Sequence, residues 1–199
     1  GLQLRGPRVS LTTLRLHRNI AAQLLRLPCT LDHLPPRARQ RILRHAIASG
    51  ALEEEHLPLF GGLSELVLKG SKVTDKGLEH VAAACGARLL ALDLSQCVRL
   101  LSDAGVAALL RACPQLQALD LSHCRLTDVS IEAAAQHCPA LTALDVSHNR
   151  VTPNGCKDLA EGIRANTNLL ALEVNFNPMG VEAKTTTLEL GEDKAGKKL

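Results

Sequence analysis

The sequence predicts an α/β solenoid: a horseshoe arc with a parallel sheet on its concave side, helices on its convex side and a helical cap at the N-terminal end. Three observations carry this expectation. The phrase Leu-x-x-Leu-x-(Leu/Val) begins at Leu63, Leu89, Leu116, Leu141 and Leu169, at intervals of 26, 27, 25 and 28 residues. A small or polar residue stands eight positions after each start: Ser71, Cys97, Cys124, Asn149 and Asn177. Only two of the 199 residues are aromatic, Phe60 and Phe176, although 46% are apolar. Such a core must be assembled from Leu, Ala, Val and Ile in equivalent thin layers. A fixed period of this length marks stacked units, none of which can bury its apolar face alone.

Taken in order, residues 1–62 read as the cap. Ser10 begins a helix from Leu11 to about Leu27, although Leu11 to Asn19 also matches the repeat phrase and a strand competes for it. Pro35-Pro36 opens a second helix, Arg37 to about Ser49, which Gly50 ends, and residues 51–60 form a third short element. Together they cover the exposed edge of the sheet. Residues 63–180 hold the five units. In each, period-two alternation gives a short strand with its leucines inward. A turn with a cap candidate follows, at Thr74-Asp75, Ser102-Asp103, Thr127-Asp128 and Thr152-Pro153-Asn154. These side chains are expected to accept the free N–H groups of the helix start. The helices then stop at Cys85-Gly86, Cys113-Pro114 and Cys138-Pro139. Residues 181–199 read as an edge segment around Thr185–Leu190 and a frayed tail.

The net charge of +3 hides an asymmetry. Residues 1–50 hold nine Arg, no Lys and one acid (Asp32), a balance of +8, whereas residues 51–199 balance at −5. The basic surface, with Arg15, Arg18, Arg37, Arg41 and Arg44 as its candidates, suits an acidic partner or a solvated helical face. Arg-rich, acid-poor sequence also describes a mitochondrial transit peptide, against which Pro28, Pro35 and Pro36 argue. An N-terminal Gly suggests a processed or partial chain. No apolar run approaches the ~18 residues that span a bilayer. Seven Cys, five of them at shared repeat positions, read as reduced and buried thiols in an intracellular, most readily cytoplasmic, protein, with cilium and mitochondrion as alternatives.

The stretch Cys113-Pro-Gln-Leu-Gln-Ala-Leu-Asp-Leu-Ser-His-Cys124, continued by Leu126-Thr127-Asp128, resembles the unit of cysteine-containing leucine-rich repeat proteins. That resemblance covers about residues 63–150. Ser10-Leu11, Leu34-Pro35-Pro36 and Arg41-Ile42-Leu43 resemble the leading region of the antagonist-of-mitotic-exit family. From Asn149 the units are similar to ribonuclease-inhibitor repeats, in Asn149-Arg-Val-Thr and Asn175-Phe-Asn-Pro-Met-Gly180. The resemblance implies a leucine-rich repeat solenoid that binds protein. Its F-box relatives imply an alternative, a substrate-receptor subunit of a cullin-type ubiquitin ligase. Residues 1–60 lack the three-helix domain of those relatives, and Arg15 stands where an elongin-binding box needs Cys.

Between the core leucines the strands carry outward rows: Val67, Asp93, Asp120, Asp145, Glu173; Glu65, Ala91, Ala118, Ala143, Ala171; and Lys69, Ser95, Ser122, Ser147, Asn175. Four successive carboxylates over an alanine floor suit a basic helix, tail or loop, while Leu-Asp-Leu-Ser is also the common wording of this repeat. His123 and His148, beside Asp120 and Asp145, have the residue types of a metal site, but neighbouring repeats stack such residues by chance, and they count instead with Glu65, Asp93, Asp120, Asp145, Glu173 and Phe176 as partner-binding candidates of the concave face. Phe176 is a binding anchor or packs beneath the C-terminal segment. No nucleophile–base pair, phosphate loop or metalloprotease signature occurs. The expected function is therefore a non-enzymatic interaction module or scaffold subunit, without cofactor or metal. It would bind one or more protein partners, possibly within a large assembly. Nucleic-acid binding is weakly supported, because no aromatics interleave with the arginines.

Overall fold

The computed structural model describes Leu25, residues 31–97 and 101–155, Lys157, Glu161 and residues 168–178. Apart from Leu25, which is helical and buried, the cap helix expected over residues 11–27 lies outside these, as does the segment beyond Gly180. Helix α1 spans Pro36–Ser49. Pro36 sits in the first turn, where no N–H is needed, and Gly50 ends the helix in the left-handed conformation (φ 69°). A 3₁₀ helix follows over Glu54–Phe60. Then β1 (Glu65–Val67), α2 (Asp75–Cys85), β2 (Ala91–Asp93), α3 (Asp103–Arg111), β3 (Ala118–Asp120), α4 (Asp128–His137), β4 (Ala143–Asp145) and β5 (Ala171–Glu173) alternate. The five strands form one parallel sheet in chain order.

Register is strict: Leu66, Leu92, Leu119, Leu144 and Leu172 pair across successive strands. A one-residue slip would turn every such leucine out of the core. The first four are at most 4% exposed. Each strand is only three residues long, yet inter-repeat bonding continues beyond it. The N–H groups of Gly70, Gln96, His123 and His148 donate to the carbonyls of Ser95, Ser122, Ser147 and Asn175 at 2.8–3.1 Å.

The residues eight positions into each unit turn inward as an interior ladder. The Cys97 thiol donates to the Leu68 carbonyl at 3.5 Å, and Cys124 to the Leu94 carbonyl at 3.0 Å. Asn149 does more. Its amide nitrogen donates to the carbonyls of Leu121, Val146 and Ser147, and its oxygen accepts the N–H groups of Cys124 and Leu126. Asn177 repeats the pattern one unit on, accepting from Asn149 and Val151. The change of repeat type at Asn149 is thus a change from a thiol rung to an amide rung that makes five bonds. Burial pushes the thiols of Cys113 and Cys124 up to about 12 and that of Cys138 to about 11, and raises Cys85 and Cys97 as well.

The cap expectation needs correcting. Ser102 accepts its own helix's N–H, from Gly105 at 3.1 Å, and Thr152 accepts that of Asn154 at 3.2 Å, whereas Thr74 and Thr127 make no such bond. The acids instead reach across repeats. Asp75 accepts from the Ser102 N–H and hydroxyl, Asp103 from those of Thr127 and from the Ser130 hydroxyl, and Asp128 from those of Thr152. At the first unit, Glu54 of the 3₁₀ helix does the same for Thr74. Burial opposes the Glu54 charge, but the Thr74 hydroxyl and N–H and the Gly77 N–H together hold its pKa below the usual value. A one-turn cap satisfies one donor of its own helix. The inter-repeat acid satisfies the next turn and joins the units.

α1 closes the edge of β1. Ala38, Arg39, Ile42, Leu43 and Ala46 face the core, and Arg39 donates to the Gly61 carbonyl at 2.7 Å. The Gln40 amide stands in for a missing strand: its oxygen accepts from the Val67 N–H at 2.9 Å and its nitrogen donates to the Glu65 carbonyl at 3.3 Å.

Candidate protein-binding face

The strand register aligns Glu65, Ala91, Ala118, Ala143 and Ala171 in one row and Val67, Asp93, Asp120, Asp145 and Glu173 in the next. Both rows line a concave groove of about 300 Å³, floored by the alanines. Each carboxylate holds its own turn with one oxygen. Asp93 accepts from the N–H and hydroxyl of Ser95, Asp120 from the Ser122 N–H, Asp145 from the Ser147 N–H and Glu173 from the Asn175 amide, at 2.6–2.9 Å. None of the four is in an ion pair among the described residues. Their mutual repulsion, one strand spacing apart, is partly offset by these donors. The third expected row departs from the prediction: Ser95 and Ser122 are buried, and the Ser95 hydroxyl turns back to Asp93.

Beyond the strands, Gly70, Gln96, His123, His148 and Phe176 all take the left-handed conformation, with φ between 55° and 66°. For a residue with a Cβ that conformation costs about 1–2 kcal/mol. It leaves the N–H groups of the first four aimed at the next unit, and it projects the side chains outward in register. The His123 and His148 rings stack at 3.9 Å and 13°, and His148 and Phe176 at 4.2 Å and 15°. Phe176 remains 71% exposed. The packing of Phe176 beneath the C-terminal segment involves residues outside those described. The stack has a signal in the sequence, since His123, His148 and Phe176 each directly precede a ladder residue. Their rings face one another, and among the described residues no group of three or more His, Cys, Asp or Glu is placed to hold a metal.

Arg37, Arg41 and Arg44 are exposed on α1 and line a second cleft with Gln40, Ser64 and Glu65. Glu65 borders both clefts. Arg15 and Arg18 lie outside the described residues.

A model of the leucine-rich repeat matches residues 112–133 and 137–160. The solved tropomodulin C-terminal domain of Caenorhabditis elegans superposes with a TM-score of 0.57 over 72% of this chain and 93% of that one, at 16% identity. The chain folds as a leucine-rich repeat solenoid. The structure of leiomodin-1 actin-binding site 2 is a more distant match to this solenoid, with a TM-score of 0.41 at 13% identity over 71% of this chain and 73% of that one. No curated protein sequence matches the chain. Among the described residues of the solenoid, no helix is long and apolar enough to cross a membrane.

Proposed function

We propose that the chain is a non-enzymatic protein-binding module, and that a basic, chain-like segment of its partner lies along the concave groove. The observation that carries this reading is the groove itself. An alanine floor admits a backbone closely, four carboxylates without an ion-pair partner among the described residues run along it, and a stack of three exposed rings stands a few residues beyond the strand ends. Leucine-rich repeats suggest protein–protein interaction in general; the charge of the groove supplies the partner's sign. The buried thiols, held protonated by desolvation, are poor nucleophiles, which supports a binding role over a catalytic one. No observation favours the ubiquitin-ligase receptor over this reading.

The test uses Asp120→Asn with Asp145→Asn. Asn keeps an oxygen to accept the turn N–H and removes only the charge. Capture of a binding partner from cell extract should fall at least tenfold with unchanged melting temperature. Undiminished capture by the variant would count against the concave groove.

A further inference from the structure

We propose that the cleft between α1 and β1 is a second docking site, and that its occupant is an acidic peptide segment of a protein. Arg37, Arg41 and Arg44 stand at i, i+4 and i+7, so they share one face of α1. They line a cleft of about 490 Å³ together with Pro36, Gln40, Leu63, Ser64 and Glu65. None of the three guanidinium groups has an ion-pair partner among the described residues, where the single ion pair is that of Arg39 with Asp32. Three cations within two helical turns repel one another, and among the described residues that line the cleft Glu65 is the one anion.

The backbone that presents them is fixed. α1 buries Ile42, Leu43 and Ala46, Arg39 ties it to Gly61, and Gln40 ties it to β1. The arginines therefore project from a rigid platform, and only their side chains need ordering when a ligand arrives. Guanidinium groups match carboxylates by paired N–H···O bonds. Along the helix axis their spacing is about 6 and 4.5 Å. That spacing suits carboxylates one turn apart on a helix, or on alternate residues of an extended chain.

A nucleic acid fits less well. The cleft ends at Glu65, and the next strands carry Asp93, Asp120 and Asp145 into the groove. Residues 51–199 balance at −5, so a long polyanion leaving the cleft would run against the body of the solenoid. A short acidic segment places its carboxylates on α1 and ends there. Because this cleft and the concave groove use different residues apart from Glu65, the two sites can be tested separately.

The experiment measures fluorescence anisotropy of a labelled twelve-residue Glu/Ala peptide, with Glu at i, i+4 and i+7, titrated with the full chain. A labelled single-stranded oligonucleotide of twelve nucleotides serves as the competing probe. The peptide should bind, and Arg41→Glu with Arg44→Glu should weaken it at least tenfold, while Asp120→Asn with Asp145→Asn should leave it unchanged or tighter. Arg37→Ala with Arg41→Ala, which adds no negative charge, should weaken it in the same direction, and melting curves establish that both variants fold. Absence of peptide binding, binding by either arginine variant as tight as that of the unaltered chain, or tighter binding of the oligonucleotide through the same arginines would each overturn the proposal.

Discussion

The Asp75 carboxylate occupies the space that a Cβ on Gly105 would need. The same relationship recurs two repeats on, where Asp128 fills the Cβ position of Gly155. Each acid leaves its own helix and bonds the first residue before the next one, so that next helix must lack a side chain where the acid passes. Ser130 is the exception that supports the account, since its hydroxyl donates to Asp103 at 2.6 Å.

Gly105→Ala should therefore destabilise the protein, although Ala in a helix is ordinarily favoured over Gly by about 1 kcal/mol. The added methyl displaces Asp75 and breaks its two bonds to Ser102, for an expected loss of about 1–3 kcal/mol. Urea denaturation measures it. In an Asp75→Ala background the same substitution should become neutral or stabilising, and an additive double-mutant cycle would refute the mechanism.

Asn149→Leu should cost roughly 1–3 kcal/mol, because the buried N–H groups of Cys124 and Leu126 lose their acceptor. Asn149→Cys should cost less, since Cys97 and Cys124 hold the equivalent rung with a thiol donor. Thermal melts of the pair rank the two; equal losses would count against the ladder.

Stability should fall as pH rises above about 9. The buried thiols have raised pKa values in the fold, to about 12 at Cys113 and Cys124. A group raised on folding contributes fully below its unfolded pKa and loses that contribution as pH climbs towards the folded value. In this window the unfolded thiols ionise while the folded ones stay protonated, at about 1.4 kcal/mol per pH unit for each thiol. Denaturation between pH 7 and 11 gives the slope. A thiol reagent should modify these residues only on unfolding.

Gln40→Ala should expose the edge of β1. The Val67 N–H and Glu65 carbonyl would turn to water or to another chain. A loss of about 1 kcal/mol is expected, with self-association at high concentration visible by light scattering.

Much of the sheet was legible before any coordinates. Leu63, Leu66 and Leu68, and their counterparts, report burial through spacing alone, and Gly50 and Pro36 mark the limits of α1 through backbone sterics. The interior ladder was legible too, because a small polar residue inside a leucine period has few other uses. The acids at Asp75, Asp103 and Asp128 misled. In sequence they sit at helix starts, and only stacking brings the following unit within reach of their carboxylates. Gln40 carried no signal at all, being a polar residue on a helix face whose partner strand is 25 residues away.

By itself, then, the sequence determined the period, the parallel register of five strands and the residues each unit buries. Hydrophobic spacing is a local property that repeats. The tertiary structure alone decided what lies between units: the inter-repeat acids, the ring stack of His123, His148 and Phe176, and the cleft that gathers Arg37, Arg41 and Arg44 beside Glu65. These depend on rise and curvature from one repeat to the next, a geometry that emerges only when the units are stacked.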